Sequence, residues 1–130
     1  MKPTILLVED AREILENVTE ILSLYGYDVT SVMDGLDVVN TANRARPDLI
    51  LCDILLPGMN GMDVLKDIRS REEFDSVPFI FLTSQSENSD ELMAKQLGAD
   101  DYIIKPFDGE LLIQKISHHL GVKMQLLHGD

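Results

Sequence analysis

Acidic, hydroxyl and basic side chains follow short apolar runs at widely separated places in the sequence. They are Glu9 and Asp10 after the first run, Asp53 after a later one, then Thr83, and finally Lys105. If the runs are neighbouring strands, three carboxylates meet in one pocket, where two charges about 4 Å apart repel by roughly 4 kcal/mol at an effective dielectric near 20. A divalent cation removes that repulsion, and carboxylate oxygens with room for water and phosphate suit Mg²⁺.

The same residue types suit the transfer of a phosphoryl group to a carboxylate. Asp53 could act as a nucleophile towards phosphorus and form an aspartyl phosphate. An ammonium group such as that of Lys105 can neutralise the negative charge of the transferring group, and a hydroxyl such as that of Thr83 can donate to it. The residues therefore predict a Mg²⁺-dependent phosphoryl-acceptor site.

The apolar runs and the patterns between them predict the elements that position these residues. The runs lack strict polar alternation, which is typical of strands covered on both faces of a parallel sheet. They are Ile5–Val8, Val29–Val32, Leu49–Ile54, Phe79–Leu82 and Tyr102–Ile104. A helical pattern follows each run, so five strands alternate with five helices and predict a doubly wound α/β fold. In such folds the functional crevice lies beyond the carboxyl ends of the strands.

Capping residues predict where several of these helices begin and end. Ser89 is the predicted N-cap of the fourth helix, and Asp108 is that of the fifth. The third helix is predicted to start near Gly61. Gly26 and Gly98 are predicted to stop the first and fourth helices, because glycine readily adopts the left-handed conformation that ends a helix.

The composition limits the classes of protein. The chain has 130 residues with 45% apolar residues, which fits one domain, and its net charge is −12. That charge argues against direct binding to nucleic acid or to an anionic membrane. No run approaches the length of a membrane span, so a soluble, cytoplasmic protein is expected. Cys52, the only cysteine, is predicted to be a small core residue.

Taken together, the motifs resemble those of the receiver domains of bacterial two-component response regulators. The resemblance runs from about Thr4 to Leu120 and implies a flavodoxin-like sheet of five parallel strands in the order 2-1-3-4-5, with five helices. The matching stretches are Leu6-Leu7-Val8-Glu9-Asp10, Pro47-Asp48-Leu49-Ile50-Leu51-Cys52-Asp53, Leu56-Pro57-Gly58-Met59-Asn60-Gly61, Leu82-Thr83-Ser84, and Gly98-Ala99-Asp100-Asp101-Tyr102 leading to Lys105-Pro106-Phe107.

The resemblance implies a role for each residue of the acidic pocket. Asp53 is similar to the phosphoacceptor of the family. Glu9 and Asp10 resemble the acidic pair that binds Mg²⁺ together with Asp53, and the backbone carbonyl of Leu55 resembles the remaining protein ligand. Lys105 resembles the lysine that pairs with the phosphoryl group.

The resemblance also implies a conformational switch. Thr83 resembles the hydroxyl that moves towards the phosphoryl group, Tyr102 the aromatic residue that changes its packing in response, and Pro106 the family's cis-proline. Leu55 and Gln85 occupy the positions that flank the hydrolytic water. Because Leu55 is apolar and Gln85 is a poor general base, slow to moderate self-dephosphorylation is predicted.

The partners and limits of the domain are expectations of the same resemblance. The expected donor is a phosphohistidine on a sensor histidine kinase or a phosphotransfer protein. The output is expected to pass to a downstream protein target, to an attached effector domain or to a phosphorylation-dependent homodimer. Residues 1–121 are predicted to form the receiver domain, and residues 122–130 a C-terminal tail or the start of a linker. Beyond assisting its own phosphorylation and dephosphorylation, the domain is not expected to be an enzyme.

Simpler explanations remain open for the individual residues. Asp53 could cap a turn, Glu9 and Asp10 could be a solvated acidic pair at a helix start, and Tyr102 could serve packing alone. Two other functions also compete. An aspartyl-nucleophile hydrolase of the haloacid-dehalogenase type needs an acid where Leu55 stands, so Leu55 argues against it. A phosphorylation-independent interaction module would keep only the fold, and the complete acidic set with Lys105 argues against that.

Overall fold

Strands and helices alternate along the chain in the computed structural model, which describes residues 2–122. The strands are β1 (Thr4–Val8), β2 (Asp28–Val32), β3 (Leu49–Cys52), β4 (Phe79–Thr83) and β5 (Asp101–Ile104). The helices are α1 (Arg12–Leu24), α2 (Val38–Ala45), α3 (Gly61–Arg69), α4 (Asn88–Gln96) and α5 (Gly109–Leu120), and 3₁₀ turns cover Gly35–Asp37 and Glu72–Phe74. Met1 and residues 123–130, which hold His128 and most of the predicted tail, lie outside the described residues.

All strand pairs are parallel, and the sheet has the order β2-β1-β3-β4-β5. Val8 at the end of β1 pairs with Val32 on one side and with Cys52 on the other. The chain therefore moves outward from β1 in both directions, and the carboxyl ends of the central strands open onto one edge. The predicted doubly wound fold and its strand order are confirmed.

Two apolar layers cover the two faces of the sheet. Successive side chains of a strand point to opposite faces, so Leu6 and Val8 pack in one cluster while Ile5 and Leu7 pack in the other. Helices α2, α3 and α4 cover the first face, and α1 and α5 cover the second. Burial of each large aliphatic side chain contributes about 1.5–3 kcal/mol, which is why the strands read as continuous apolar runs.

Two sequence-based element limits were wrong. Helix α4 starts at Asn88 with Glu87 in the cap position, so Ser89 lies inside the first turn. Acidic residues in that turn complement the positive end of the helix without a hydroxyl cap. Strand β3 ends at Cys52 instead of Ile54; the Ile54 amide donates to the Asp53 side chain and so is not available to a ladder hydrogen bond.

The other predicted caps are found in the structure. Asp108 caps α5, and its side chain accepts a hydrogen bond from the Glu110 amide at 2.9 Å. Helix α3 begins at Gly61, and both Gly26 and Gly98 have positive φ angles just after α1 and α4. Within residues 2–122, no helix is long and apolar enough to cross a membrane.

Cys52 is a core residue, as predicted. It is fully buried at the end of β3 and is a free thiol. Its Sγ lies 3.1 Å from the backbone carbonyl of Asp53. Burial, with the nearby charges of Asp53 and Glu9, raises the pKa of the thiol well above its ordinary value, so Cys52 stays protonated and unreactive in the folded protein.

Candidate functional site

Three carboxylates meet at the carboxyl edge of the sheet. Val8 and Cys52 are partners in the β1–β3 ladder, so the next residues, Glu9 and Asp53, lie side by side. Their amides donate to Val32 and Val8 carbonyls at 3.0 Å and continue the ladder. Carboxylate oxygens of Glu9, Asp10 and Asp53 all lie within 4.8 Å of one another. The predicted convergence of these three acids is therefore present.

The Asp53 side chain is held at both carboxylate oxygens. Oδ1 accepts a hydrogen bond from the Ile54 amide at 2.6 Å and a longer one from the Leu55 amide at 3.4 Å. Oδ2 accepts one from Lys105 Nζ at 2.8 Å. Only 7% of the residue is exposed, so these contacts, more than solvent, set the orientation of the carboxylate.

Lys105 spans two of the acids. Its Nζ lies 2.5 Å from Glu9 Oε1 and 2.8 Å from Asp53 Oδ2. Burial by itself lowers the pKa of Lys105, but the hydrogen bonds to Asp53 and Glu9 outweigh burial and raise that pKa. The lysine therefore remains a cation. Its backbone is fixed by a hydrogen bond to the Thr83 carbonyl, and the Lys105–Pro106 peptide bond is cis.

The Glu9 carboxyl is the most buried acid of the site. Burial raises its pKa above the ordinary value, although Lys105 and the Ala11 amide partly oppose that shift. Only 2% of Glu9 is exposed, whereas Asp10 is open to solvent. Two buried acids and one exposed acid fit a hard divalent cation, because the exposed side leaves space for water ligands.

Thr83 and Tyr102 are joined through the backbone of Gln85. The Gln85 amide donates to Thr83 Oγ1 at 3.3 Å, and the Tyr102 hydroxyl donates to the Gln85 carbonyl at 2.6 Å. Burial, with the charges of Asp90 and Glu91, raises the pKa of Tyr102 to about 12, so its hydroxyl stays a donor. Both side chains are buried, and both contact the loop after β4, Thr83 from the end of β4 and Tyr102 from β5.

The remaining predicted site residues have simpler surroundings. Leu55 is 52% exposed and its amide faces Asp53. The role of its carbonyl as a metal ligand stays a prediction. His119 lies far along α5, where its Nε2 is 2.9 Å from Asp101 Oδ2. It takes no part in the carboxylate cluster.

Sequence reasoning missed two features of the site. The contact between Lys105 and Glu9 was not expected, although opposite charges at two strand ends were a signal for it. The backbone contact between Gly35 and the loop after Asp53 was also missed. An Asp-Gly pair indicates a turn but carries no information about which distant segment it touches.

A parallel sheet with three acids and a lysine at its carboxyl edge defines a class of signalling domains. The chain belongs to the response regulator receiver domain family, whose model matches residues 5–117. It is thus a receiver domain of two-component signalling.

Named relatives agree with this family. The DNA-binding response regulator MtrA of Mycobacterium tuberculosis is 36% identical over 120 residues, which are 92% of this chain and 51% of that protein. The chain therefore spans about half the length of the curated relatives that it matches.

Solved structures of other receiver proteins share the fold. The chemotaxis response regulator CheY4 of Vibrio cholerae superposes with a TM-score of 0.86 at 28% identity, covering 92% of this chain and 99% of that one. The receiver domain of sensor histidine kinase PA1611 from Pseudomonas aeruginosa, solved with a magnesium ion in its active-site cleft, has a TM-score of 0.86 at 36% identity, covering 93% and 99%.

Proposed function

We propose that Asp53 accepts a phosphoryl group from a phosphohistidine donor in a Mg²⁺-dependent reaction. The observation that carries this proposal is the meeting of three carboxylates within 4.8 Å, two of them held by Lys105. Asp53 and Glu9 each have both carboxylate oxygens held by hydrogen bonds, but Glu9 is the more buried of the two and burial raises its pKa. Asp53, directly after β3 at the position that resembles the family's phosphoacceptor, is therefore the proposed nucleophile.

The side chains of Glu9, Asp10 and Asp53, with the Leu55 carbonyl, are the proposed Mg²⁺ ligands. The donor set supports this assignment, since hard oxygen atoms and an open, solvent-facing side suit Mg²⁺. The magnesium ion in the PA1611 receiver domain is consistent with it. When bound, the ion would supply positive charge that offsets the phosphoryl oxygens.

Lys105 and Ile54 have complementary roles in the proposed transfer. The Ile54 amide holds Oδ1 of Asp53, so that Oδ2 is the oxygen that attacks phosphorus. As the new oxygen–phosphorus bond forms, the nitrogen–phosphorus bond of the donor breaks and its electron pair stays on the imidazole. Lys105, now paired with Oδ2, moves its charge to the phosphoryl oxygens. The domain assists only this transfer and the later hydrolysis of the aspartyl phosphate, in which water takes the phosphoryl group and the Asp53 carboxylate is restored.

Thr83 and Tyr102 are the proposed switch residues. Movement of the Thr83 hydroxyl towards a phosphoryl oxygen would break its hydrogen bond with the Gln85 amide. Because the Gln85 carbonyl accepts from Tyr102, the tyrosine would lose or rebuild its own contact. The change would reach the surface formed by α4, β5 and α5, where a target protein, an attached effector domain or a second copy would bind. With Leu55 and Gln85 beside the site, self-dephosphorylation should be slow to moderate.

The residue limits of the domain, its phosphoryl donor and its cytoplasmic location are also proposals. The matched range supports a receiver domain over residues 1–121, with residues 122–130 as a tail or the start of a linker. A sensor histidine kinase or phosphotransfer protein in the cytoplasm is the proposed donor. MtrA is described as DNA-binding, but the net charge of −12 argues against direct DNA binding by these 130 residues.

Phosphorylation by acetyl phosphate tests the proposal. The wild-type chain should gain the mass of one phosphoryl group in the presence of Mg²⁺ and not in EDTA, and Asp53→Asn should gain none. Asp48→Asn is the matched control, because Asp48 is an exposed aspartate at the other end of the same strand. Equal labelling of Asp53→Asn and wild type would exclude Asp53 as the acceptor. No beryllofluoride-induced change at Thr83 and Tyr102 would favour a phosphorylation-independent module.

A further inference from the structure

The loop after Asp53, residues 54–60, is held against the start of α3. The Gly61 amide donates to the Ile54 carbonyl at 2.7 Å. A Cβ atom at Gly61 would overlap the Asp53 carbonyl oxygen and lie 2.7 Å from Ile54 Cα. This end of the loop therefore packs backbone on backbone against the predicted phosphoacceptor.

The other side of the loop is held by the segment that follows β2. The Gly35 amide donates to the Pro57 carbonyl at 3.0 Å. A Cβ atom at Gly35 would overlap the Met59 carbonyl oxygen and lie 2.8 Å from the carbon of that carbonyl. Next to this contact, Gly58 has a φ of +79° and approaches the Asp34 carboxylate so closely that a Cβ atom would overlap Oδ1. Two loops thus meet closely at glycines, with Gly35 against the Met59 backbone and Gly58 against the Asp34 side chain.

The position of this loop matters for the acidic cluster. The loop begins with the Ile54 amide, which holds Asp53 Oδ1 at 2.6 Å, and continues with Leu55, whose carbonyl is a proposed metal ligand. An added methyl group at Gly35 must displace either the Met59 backbone or its own segment, because the obstructing atoms belong to a peptide group and not to the flexible end of a side chain. A shift of the Met59 backbone would be passed on to Leu55, which lies only four residues earlier in the same loop.

We propose that Gly35 is a positioning residue for the phosphoacceptor site. By lacking a side chain it lets the segment after β2 brace residues 54–60, and the braced loop presents the Ile54 amide and the Leu55 carbonyl to the carboxylates. The part of this inference that concerns Mg²⁺ rests on the proposed function. The brace itself rests on the backbone contacts alone.

Gly35→Ala tests the brace, with Gly109→Ala as the matched control. At Gly109 the three atoms nearest to an added Cβ atom all belong to the flexible Ile21 side chain, at 3.3 Å and beyond. The first readout is amide hydrogen exchange without metal. In Gly35→Ala, the protection factors of the Ile54 and Gly61 amides should fall about tenfold more than those of the β1 amides. In Gly109→Ala, the Ile54 and Gly61 amides should show no such additional loss. The second is calorimetric titration with Mg²⁺, which should bind about fivefold more weakly to folded Gly35→Ala than to folded Gly109→Ala.

The outcomes separate a positioning role from a purely structural one. A lower free energy of unfolding in Gly35→Ala, with local exchange and Mg²⁺ affinity equal to those of the control, would overturn the proposal. If circular dichroism finds Gly35→Ala unfolded, Asp34→Ala releases the same segment without adding an atom, and unchanged protection of Ile54 and Gly61 there would also overturn it. A wild-type chain that binds no Mg²⁺ or accepts no phosphoryl group refutes the proposed function, and the exchange comparison then still decides the brace.

Discussion

Replacing Lys105 by methionine should have opposite effects on stability and on metal affinity. The substitution keeps a chain of similar length but removes the ammonium group that lies 2.5 Å from Glu9 and 2.8 Å from Asp53. Those carboxylates are 2% and 7% exposed as residues, so both lose their nearby cation while remaining shielded from water. Removing one partner of a buried ion pair costs about 3–5 kcal/mol, and that loss is expected in metal-free buffer at neutral pH.

The stability loss should depend on pH in a direction set by Glu9. The pKa of Glu9 is already raised by burial in the wild type, and removal of Lys105 raises it further. A carboxyl whose pKa is higher in the folded state favours folding at low pH, and that contribution is lost as the pH rises through the folded-state pKa. Lys105→Met should therefore recover part of its lost stability as the pH falls from neutral towards the raised Glu9 pKa.

Mg²⁺ should bind more tightly to Lys105→Met than to the wild type. A dication and an ammonium about 5 Å apart repel by roughly 1.5–3 kcal/mol at effective dielectrics between about 80 and 40. Removal of that repulsion corresponds to a dissociation constant about 10 to 100 times lower. Among residues 2–122, the substitution also leaves Glu9 and Asp53 with no competing cation within hydrogen-bond distance.

Calorimetric Mg²⁺ titration and urea unfolding in EDTA measure the two effects separately. Lys95→Met is the matched control, because it removes the same charge from an exposed pair with Glu91 on α4. We expect little change in either quantity for the control. Equal or weaker Mg²⁺ binding by folded Lys105→Met, relative to Lys95→Met, would refute the view that Lys105 competes with the metal for the carboxylates.

Ion pairs and hydrogen bonds outside the acidic cluster lead to three further predictions. The guanidinium of Arg69 donates to the backbone carbonyls of three residues. Arg69→Met should therefore lower the free energy of unfolding, measured with urea, by about 2–4 kcal/mol. Arg71 is more exposed, so the control Arg71→Met should lower it by less than about 1 kcal/mol. Burial raises the pKa of Asp101, but hydrogen bonds from α5 side chains outweigh it and lower that pKa. The ionised Asp101 carboxylate therefore stabilises the fold at pH values above its ordinary pKa. In thermal unfolding, Asp101→Asn should be less stable than the wild type at neutral pH, and this difference should shrink as the pH falls through the lowered pKa of Asp101. A stability difference that does not change with pH would contradict this. Tyr102→Phe should cost about 1 kcal/mol by removing its hydroxyl bond to the loop after β4, and it should reduce the beryllofluoride-induced shifts of that loop in NMR spectra.

The sheet and the acidic cluster were predictable because their signals are local. Strands β1 and β3 are continuous apolar runs, and parallel strands end at the same edge, so polar residues directly after them must meet there. Glu9 and Asp53 were found by that rule, and the structure brings them together. The start of α5 was equally readable, because an N-cap aspartate acts on amides two residues away.

Contacts that depend on side-chain reach or on distant backbone could not be read in the same way. Strand β5 is separated from β1 by two other strands, so the contact of Lys105 with Glu9 depends on a long side chain crossing the edge. The closeness of Gly35 to Met59 depends on how two loops fold over one another. Ser89 was chosen as a cap by residue type, whereas the actual cap position belongs to Glu87, two residues earlier.

The buried thiol of Cys52 gives the protein an internal reporter. It is the single cysteine of the chain, it is 0% exposed, and its neighbour in the sequence is Asp53. An alkylating reagent can reach it only when the centre of the sheet opens, because the thiol is both inaccessible and protonated in the closed state. The alkylation rate of the unmodified chain would therefore measure how often the sheet opens locally around the end of β3, directly before Asp53, without any introduced label.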